Sequence, residues 1–331
     1  MTTSRAWQLV SRPTGMPTAQ NFALVNVDLP PLAAGEVLVR NTFMSVDPYM
    51  RGRMNAGPSY VPAFEIGKAL EGGAVGIVES SNDPALARGQ TVLHALGWRD
   101  YAVGPAKAFR AIDATGVPAS AYLGVLGITG FSAWVGLNVI DTVKPTDTVF
   151  VSSAAGAVGT VAGQLAKRAG ARVIGSTRSS ASAAALRTKL GFDDVIVVEP
   201  GAVAQQLRVA APTGIDLFFD NVGGEQLEAA IGALNDFGRV VVCGMIANYN
   251  EPVPGPRNVG LVVPKRLTLH GFIVSDHSAR NADFLRDVAP EVAAGRIVGL
   301  ESFVAGLERA PEALLSLFAP GAHLGKLIVQ L

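Results

Sequence analysis

The sequence predicts an α/β protein: a doubly wound parallel sheet with helices on both faces, joined to a second, β-rich domain. Three observations predict it. Between about residues 146 and 274, short apolar runs alternate with helical stretches. Strands that apolar, separated by helices, belong in a parallel sheet covered on both faces. Upstream, to about residue 122, Gly and Pro punctuate short apolar runs such as Glu36-Val37-Leu38-Val39-Arg40 and Gly73-Ala74-Val75-Gly76-Ile77-Val78. That is the texture of short strands joined by turns. At the far end, Lys326-Leu327-Ile328-Val329 reads as a strand in need of a sheet, which the upstream domain can supply.

Taken in order, the predicted strands of the α/β region are 148–151, 172–175, 195–198, 216–220, 239–243 and 267–272. Helical stretches at 160–169, 181–190 and 225–234 lie between several of them, and a longer one covers 279–294. The chain of 331 residues suits two domains and can bury a core without disulfides. Its 27 basic and 27 acidic residues balance, which excludes the electrostatic footprint of a nucleic-acid binder. A single cysteine, Cys243, leaves no internal disulfide and fits a reducing compartment. The first ten residues lack the layout of a signal peptide. No window approaches the roughly 18 uninterrupted apolar residues of a membrane span. The expectation is a cytoplasmic enzyme or binding protein.

The strongest local motif is Val149-Phe150-Val151-Ser152-Ser153-Ala154-Ala155-Gly156-Ala157-Val158-Gly159. It reads as a strand, a turn of small residues and a helix, the order that dinucleotide binding requires. Such a turn lets backbone approach a pyrophosphate, and the helix start offers free N–H groups and the positive end of its dipole. The usual G-x-G-x-x-G stands here as Ala154-x-Gly156-x-x-Gly159, so Gly156, Ala157, Val158 and Gly159 are the candidate phosphate contacts.

Around the end of the next strand, NAD-binding sites carry an acidic residue for the ribose hydroxyls. Here Ile174-Gly175-Ser176-Thr177-Arg178-Ser179-Ser180 holds no carboxylate and one arginine. A carboxylate repels a 2′-phosphate, whereas a guanidinium binds it with paired hydrogen bonds. Ser176 and Arg178 therefore point to NADPH over NADH. Two later strand ends, Asp220-Asn221-Val222-Gly223-Gly224 and Cys243-Gly244-Met245-Ile246, are placed to line the same cleft, because ligands of open α/β sheets sit at carboxyl strand ends. One cysteine and four scattered histidines (His94, His270, His277 and His323) exclude a four-cysteine zinc site and argue against a catalytic zinc. Acid–base chemistry then falls to tyrosine, lysine, a ribose hydroxyl or water.

These motifs resemble the zinc-free branch of the medium-chain dehydrogenase/reductase superfamily, within it the group of prostaglandin reductases, leukotriene hydroxydehydrogenases and alkenal double-bond reductases. The resemblance also rests on Met44-Ser45-Val46-Asp47-Pro48-Tyr49-Met50-Arg51-Gly52-Arg53-Met54, on Leu70-Glu71-Gly72-Gly73-Ala74-Val75-Gly76, on Ala247-Asn248-Tyr249-Asn250 and on Gly271-Phe272-Ile273-Val274. It implies a GroES-like β domain over 1–122 and 302–331, a Rossmann domain over 123–301, and a homodimer joined through the Rossmann sheet edges. The implied chemistry is NADPH-dependent reduction of the C=C bond of α,β-unsaturated aldehydes and ketones. Asn221 is implied near the ribose and nicotinamide. Thr129, Cys243, Gly244, Met245, Ile246, Tyr249, Phe272, Ile273 and Val274 are implied along the nicotinamide half. Tyr249 matches a tyrosine that bonds the enolate oxygen or donates a proton, and Tyr60 a second one bordering the substrate.

The chain departs from this pattern in places. Ser182 and Val198 stand where the family often has a lysine and a tyrosine on the 2′-phosphate, and His323-Leu324-Gly325-Lys326 replaces Asn-x-Gly-Lys. His323 can still donate to the cofactor, with a charge that depends on pH. Three readings stay open at this point: an enal or enone reductase, a quinone or other carbonyl reductase, and an NADPH-binding protein with little catalysis.

Overall fold

The computed structural model describes residues 3–319 and 323–331. The chain divides into two units. One comprises residues to Leu123 together with Ser302–Ala319 and Leu327–Leu331; the other runs over Gly124–Glu301 and takes in His323 to Lys326. The stretch from His323 to Lys326 thus groups with the second unit, and Leu327–Leu331 with the first.

In chain order, the first unit opens with β1 (Thr3–Leu9), β2 (Phe22–Asp28), β3 (Glu36–Ser45), the short helix α1 (Tyr49–Arg53), β4 (Ala74–Ser81), β5 (Thr91–His94), β6 (Tyr101–Pro105) and β7 (Arg110–Ala111). In the second unit come α2 (Ile128–Val135), β8 (Thr148–Val151), α3 (Ala157–Arg168), β9 (Arg172–Thr177), α4 (Ser180–Leu190), β10 (Asp194–Val197) and α5 (Val203–Ala210). They are followed by β11 (Ile215–Asp220), α6 (Gly224–Ala233), β12 (Leu234–Val242), β13 (Thr268–Gly271) and α7 (Asn281–Ala293). The chain closes with β14 (Glu301–Ala305), α8 (Ala310–Ser316) and β15 (Lys326–Gln330).

The first unit is built on a sheet ordered β14-β15-β3-β4-β5-β7, with β6 also pairing β3, and on a separate β1-β2 hairpin. The last strand finds its partner as expected, since β15 runs antiparallel to β3 with Val329 opposite Met44. Alternation along β3 sends Val37 and Val39 into a core with Val78, Val92 and Phe109. A second core gathers Met44, Met50, Met54, Leu70 and Trp98 with Leu307, Leu314 and Val329.

The second unit carries six strands in the order β10-β9-β8-β11-β12-β13, all parallel in their pairings. Numbered from β8, that is 3-2-1-4-5-6, so the order reverses between β8 and β11, the switch point where such sheets bind ligands. Strands β8 and β11 are buried on both faces, and Phe150 stacks on Phe218 at 5.0 Å between centroids, worth about 0.5–1.5 kcal/mol beyond burial. Local signals set the helix ends. Ser179 caps α4 by accepting the Ser182 N–H at 3.3 Å, and Gly191 ends it in the left-handed region. Asp287 ties α7 down by accepting from Trp134 Nε1 of α2 at 2.8 Å and from Arg168 of α3 at 2.6 Å. Helices α2 and α5 were not among the sequence expectations. Among the described residues no helix is long and apolar enough to cross a membrane.

Candidate nucleotide and acceptor site

The phosphate turn joins β8 to α3. Ser153 takes a left-handed φ of 49°, which swings the chain from strand into helix. The helix begins on Gly156, an N-cap with no side chain, so no side chain competes for the first N–H groups of α3, the kind of helix start that binds anions. A Cβ on Gly159 would lie 2.4 Å from the Ser153 carbonyl oxygen, so only glycine lets helix and turn approach this closely. Ala154, the departure from the glycine pattern, is accommodated from below. Its methyl faces Gly175 of β9, where an added Cβ would stand 2.8 Å away. The missing first glycine is thus offset by a glycine on the neighbouring strand.

Beside the turn, the Gly325 N–H donates to the Ala155 carbonyl at 2.8 Å, which holds the His323–Lys326 stretch against the turn. His323 Nδ1 is buried with no hydrogen-bond partner. Burial pushes the His323 pKa down, and the positive charges of Lys326 and Arg178 push it further, so Arg178 and His323 share one positive neighbourhood. Arg178 follows β9 and is exposed. Burial of part of its guanidinium lowers its pKa from the ordinary arginine value. At the family's two phosphate positions, Ser182 is buried in the first turn of α4 and Val198 packs against the core.

A second cluster at the switch point orders the end of β11. The buried Asp220 carboxylate accepts from Ser152 Oγ at 2.9 Å and from the N–H groups of Val222 and Gly223 at 2.8 and 2.9 Å. Burial pushes its pKa up, against the pull of those three bonds. Asn221 N–H donates to Ser152 Oγ and its side-chain amide to the Ser152 carbonyl, both at 2.8 Å. Ser152 and Asp220 were not singled out in the sequence, although their positions at adjacent strand ends were the available signal. At the end of β12, the N–H groups of Cys243 and Gly244 donate to the Asp220 carbonyl at 2.8 and 3.1 Å. The Tyr249 hydroxyl lies above this turn: a Cβ built on Gly244 would stand 3.5 Å from it and 3.6 Å from the Asn221 carbonyl. Met245 is exposed and Ile246 half-buried, while Phe272, Ile273 and Val274 follow β13 as half-buried residues.

Three expected contacts turn inward. Ser176 is fully buried, and its hydroxyl donates to Gln226 at 2.6 Å while accepting the Ser153 N–H, so it buttresses the turn instead of facing a ligand. Thr129 is buried and donates to the Gly124 carbonyl at 2.9 Å. The Cys243 thiol is pushed up to about 12 by burial and by Asp220, which keeps it neutral and leaves its backbone as the useful part.

In the first unit, Tyr60 is 62% exposed on the segment after α1. The structure adds Tyr49, which the sequence reading passed over. Burial first, then Asp47, pushes its phenol above the ordinary range, with Arg53 opposing and Tyr60 close enough to contribute. Ser45 donates a short hydrogen bond to the Asp47 carboxylate.

The Gly159 close approach, the uncapped start of α3 and the orphaned His323 Nδ1 beside Arg178 together fit a phosphorylated dinucleotide. Among the described residues no group of three or more His, Cys, Asp or Glu is arranged to hold a metal ion. The chain belongs to the medium-chain dehydrogenase/reductase superfamily of oxidoreductases. Residues 5–112 match a family described as the N-terminal domain of oxidoreductase, and residues 157–289 one described as zinc-binding dehydrogenase. It is 37% identical to the NADP-dependent 2-alkenal reductase of Nicotiana tabacum, over 96% of this chain and 94% of that one. It is 36% identical to prostaglandin reductase 1 of Rattus norvegicus over the full length of both. The crystal structure of CurA from Vibrio vulnificus in complex with NADPH superposes with a TM-score of 0.92 at 38% identity, covering 98% of each chain.

Proposed function

We propose that this NADPH-dependent oxidoreductase reduces the carbon–carbon double bond of α,β-unsaturated aldehydes and ketones. The observation that carries the reading is the Tyr249 hydroxyl beside Gly244, at the carboxyl end of β12 and next to the end of β11. Similarity to a 2-alkenal reductase along nearly the whole chain supports the same substrate class.

NADPH, when bound, supplies a hydride. The turn at Gly156–Gly159 would hold its pyrophosphate, Arg178 with His323 its 2′-phosphate, and Asn221 with the Cys243–Ile246 backbone its nicotinamide half. As the substrate's β-carbon gains a C–H bond, the π pair moves toward the carbonyl and charge gathers on oxygen. A phenol O–H is a hydrogen-bond donor. Tyr249 stabilises that oxygen by donating to it, and the α-carbon then takes up a proton. The family resemblance supports Tyr60 as a second residue bordering the acceptor. The exposed edge strand β13, with Leu269 38% exposed, supports assembly of two copies through the sheet edge.

Tyr249→Phe is the direct test. It is expected to lower kcat on an enone about 100-fold, with the Kd for NADPH nearly unchanged. An unchanged kcat, or an allylic alcohol as the wild-type product in place of the saturated carbonyl, would falsify the reading.

A further inference from the structure

Ten residues, Met54 to Ala63, leave α1 and return to Phe64 without regular secondary structure. Asn55 to Tyr60 are all exposed, and a Cβ on Gly57 would meet nothing within 4 Å. Such a segment has no strand ladder to satisfy its carbonyls, so other donors must do it.

Arginines supply those donors at the base. Arg12, far upstream on the surface, donates one guanidinium nitrogen to the carbonyls of Met54 and Asn55 at 2.9 and 3.1 Å. Its other terminal nitrogen donates to the Phe64 carbonyl at 3.1 Å. One planar group therefore holds both legs. Arg53 adds a bond from Nε to the Pro62 carbonyl at 2.8 Å, stacks on Phe64 at 4.1 Å and accepts the Phe64 N–H on its own carbonyl at 2.7 Å. Arg51 donates to the Asn55 side chain at 2.7 Å. The result is an Ω-type loop closed by side chains from outside its tip.

We propose that Arg12 is a positioning residue: it cinches the base of the 54–64 loop and thereby fixes the place of Tyr60 within the first unit. The inference rests on the reading above for what Tyr60 borders, but the cinch itself does not. Arg53 is buried in the core, so its loss would disturb the fold. Arg12 is exposed, and its hydrogen bonds to Met54, Asn55 and Phe64 all fall on the ends of the loop. A lysine ammonium is a point donor on a flexible stem and cannot span the two legs as a guanidinium fork does.

The test uses Arg12→Gln and Arg12→Lys in the full chain. Amide hydrogen exchange at Met54, Asn55 and Phe64, whose N–H groups are bonded at the base of the loop, is expected to quicken about tenfold in Arg12→Gln, read without cofactor or substrate. Exchange in β8 and β11 should not move. The KM for a bulky enone should rise several-fold with the KM for NADPH unchanged. Arg12→Lys should recover little of either effect. In a Tyr60→Phe background the Arg12→Gln effect on acceptor KM should shrink. Unchanged exchange at Met54, Asn55 and Phe64 overturns the cinch, whatever the activity. Faster exchange with unchanged acceptor kinetics, or an undiminished effect in the Tyr60→Phe background, overturns the positioning role. A wild-type chain that turns over no enone defeats the reading of function, and the exchange result still decides the cinch.

Discussion

The phosphate turn and the Tyr60 loop solve the same problem in opposite ways. Both are irregular segments that must hold a fixed shape. The turn at 152–159 does so with backbone and missing side chains: Gly159 permits close approach, Gly175 makes room for Ala154, and the Gly325 N–H bonds the Ala155 carbonyl. The loop at 54–64 does so with guanidiniums brought from Arg12, Arg51 and Arg53. A backbone-built site needs no side chain to hold its shape, so its N–H groups can serve a ligand. A loop cinched by side chains depends on residues far away in sequence, and its tip is free to differ.

Breaking the turn should have the largest effect. Gly159→Ala places a methyl against the Ser153 carbonyl, an overpacking that costs about 1–3 kcal/mol. Displacement of the turn should weaken NADPH binding about 100-fold, measured by fluorescence titration with Tm followed in parallel. A Kd within twofold of wild type would mean that the close approach is not needed for the cofactor.

Acid should expose the first unit's reliance on buried polar side chains. His94 is buried, accepts the Leu96 N–H on Nδ1 at 3.1 Å, and is lowered to about 3 by burial and by the Arg99 charge. The unfolded chain binds this proton below about 6.5, while the folded chain refuses it until about 3. Its contribution to stability is therefore complete above about pH 6.5 and is lost as pH falls from there toward 3, on the order of a few kcal/mol. His94→Gln should flatten the fall in Tm between pH 6.5 and 4, even if it lowers Tm at pH 7. An unchanged slope would assign the acid sensitivity to other groups.

The smallest effect should come from the side-chain charge proposed for the 2′-phosphate. Arg178→Ala is expected to weaken NADPH binding about tenfold and leave NADH nearly unaffected. Equal loss for both would make Arg178 a general contact and leave 2′-phosphate recognition to His323 and the serine hydroxyls.

Most of the second unit was legible in the sequence because its strands are continuous apolar runs and its caps are local. Ser179 and Gly191 bound α4 where turn chemistry puts them, and β8 begins and ends where its apolar run does. Short α5 and the Gly-containing α2 gave weaker signals. Ser176 shows the limit: a hydroxyl beside the expected 2′-phosphate position is turned inward to Gln226, fifty residues away, and no local pattern reveals that partner.

By itself the sequence determined the six strands of the second unit, the phosphate turn and the lack of a cysteine cluster, because spacing and residue type along the chain suffice for each. Tertiary structure decided which polar groups face outward. It paired Ala154 with Gly175, buried Thr129 and Ser176, set His323 beside Arg178, placed the Tyr249 hydroxyl over Gly244 and brought Arg12 to the base of a loop 42 residues on. Those are long-range contacts, and a side chain's direction is fixed by what packs against it, not by its neighbours in sequence.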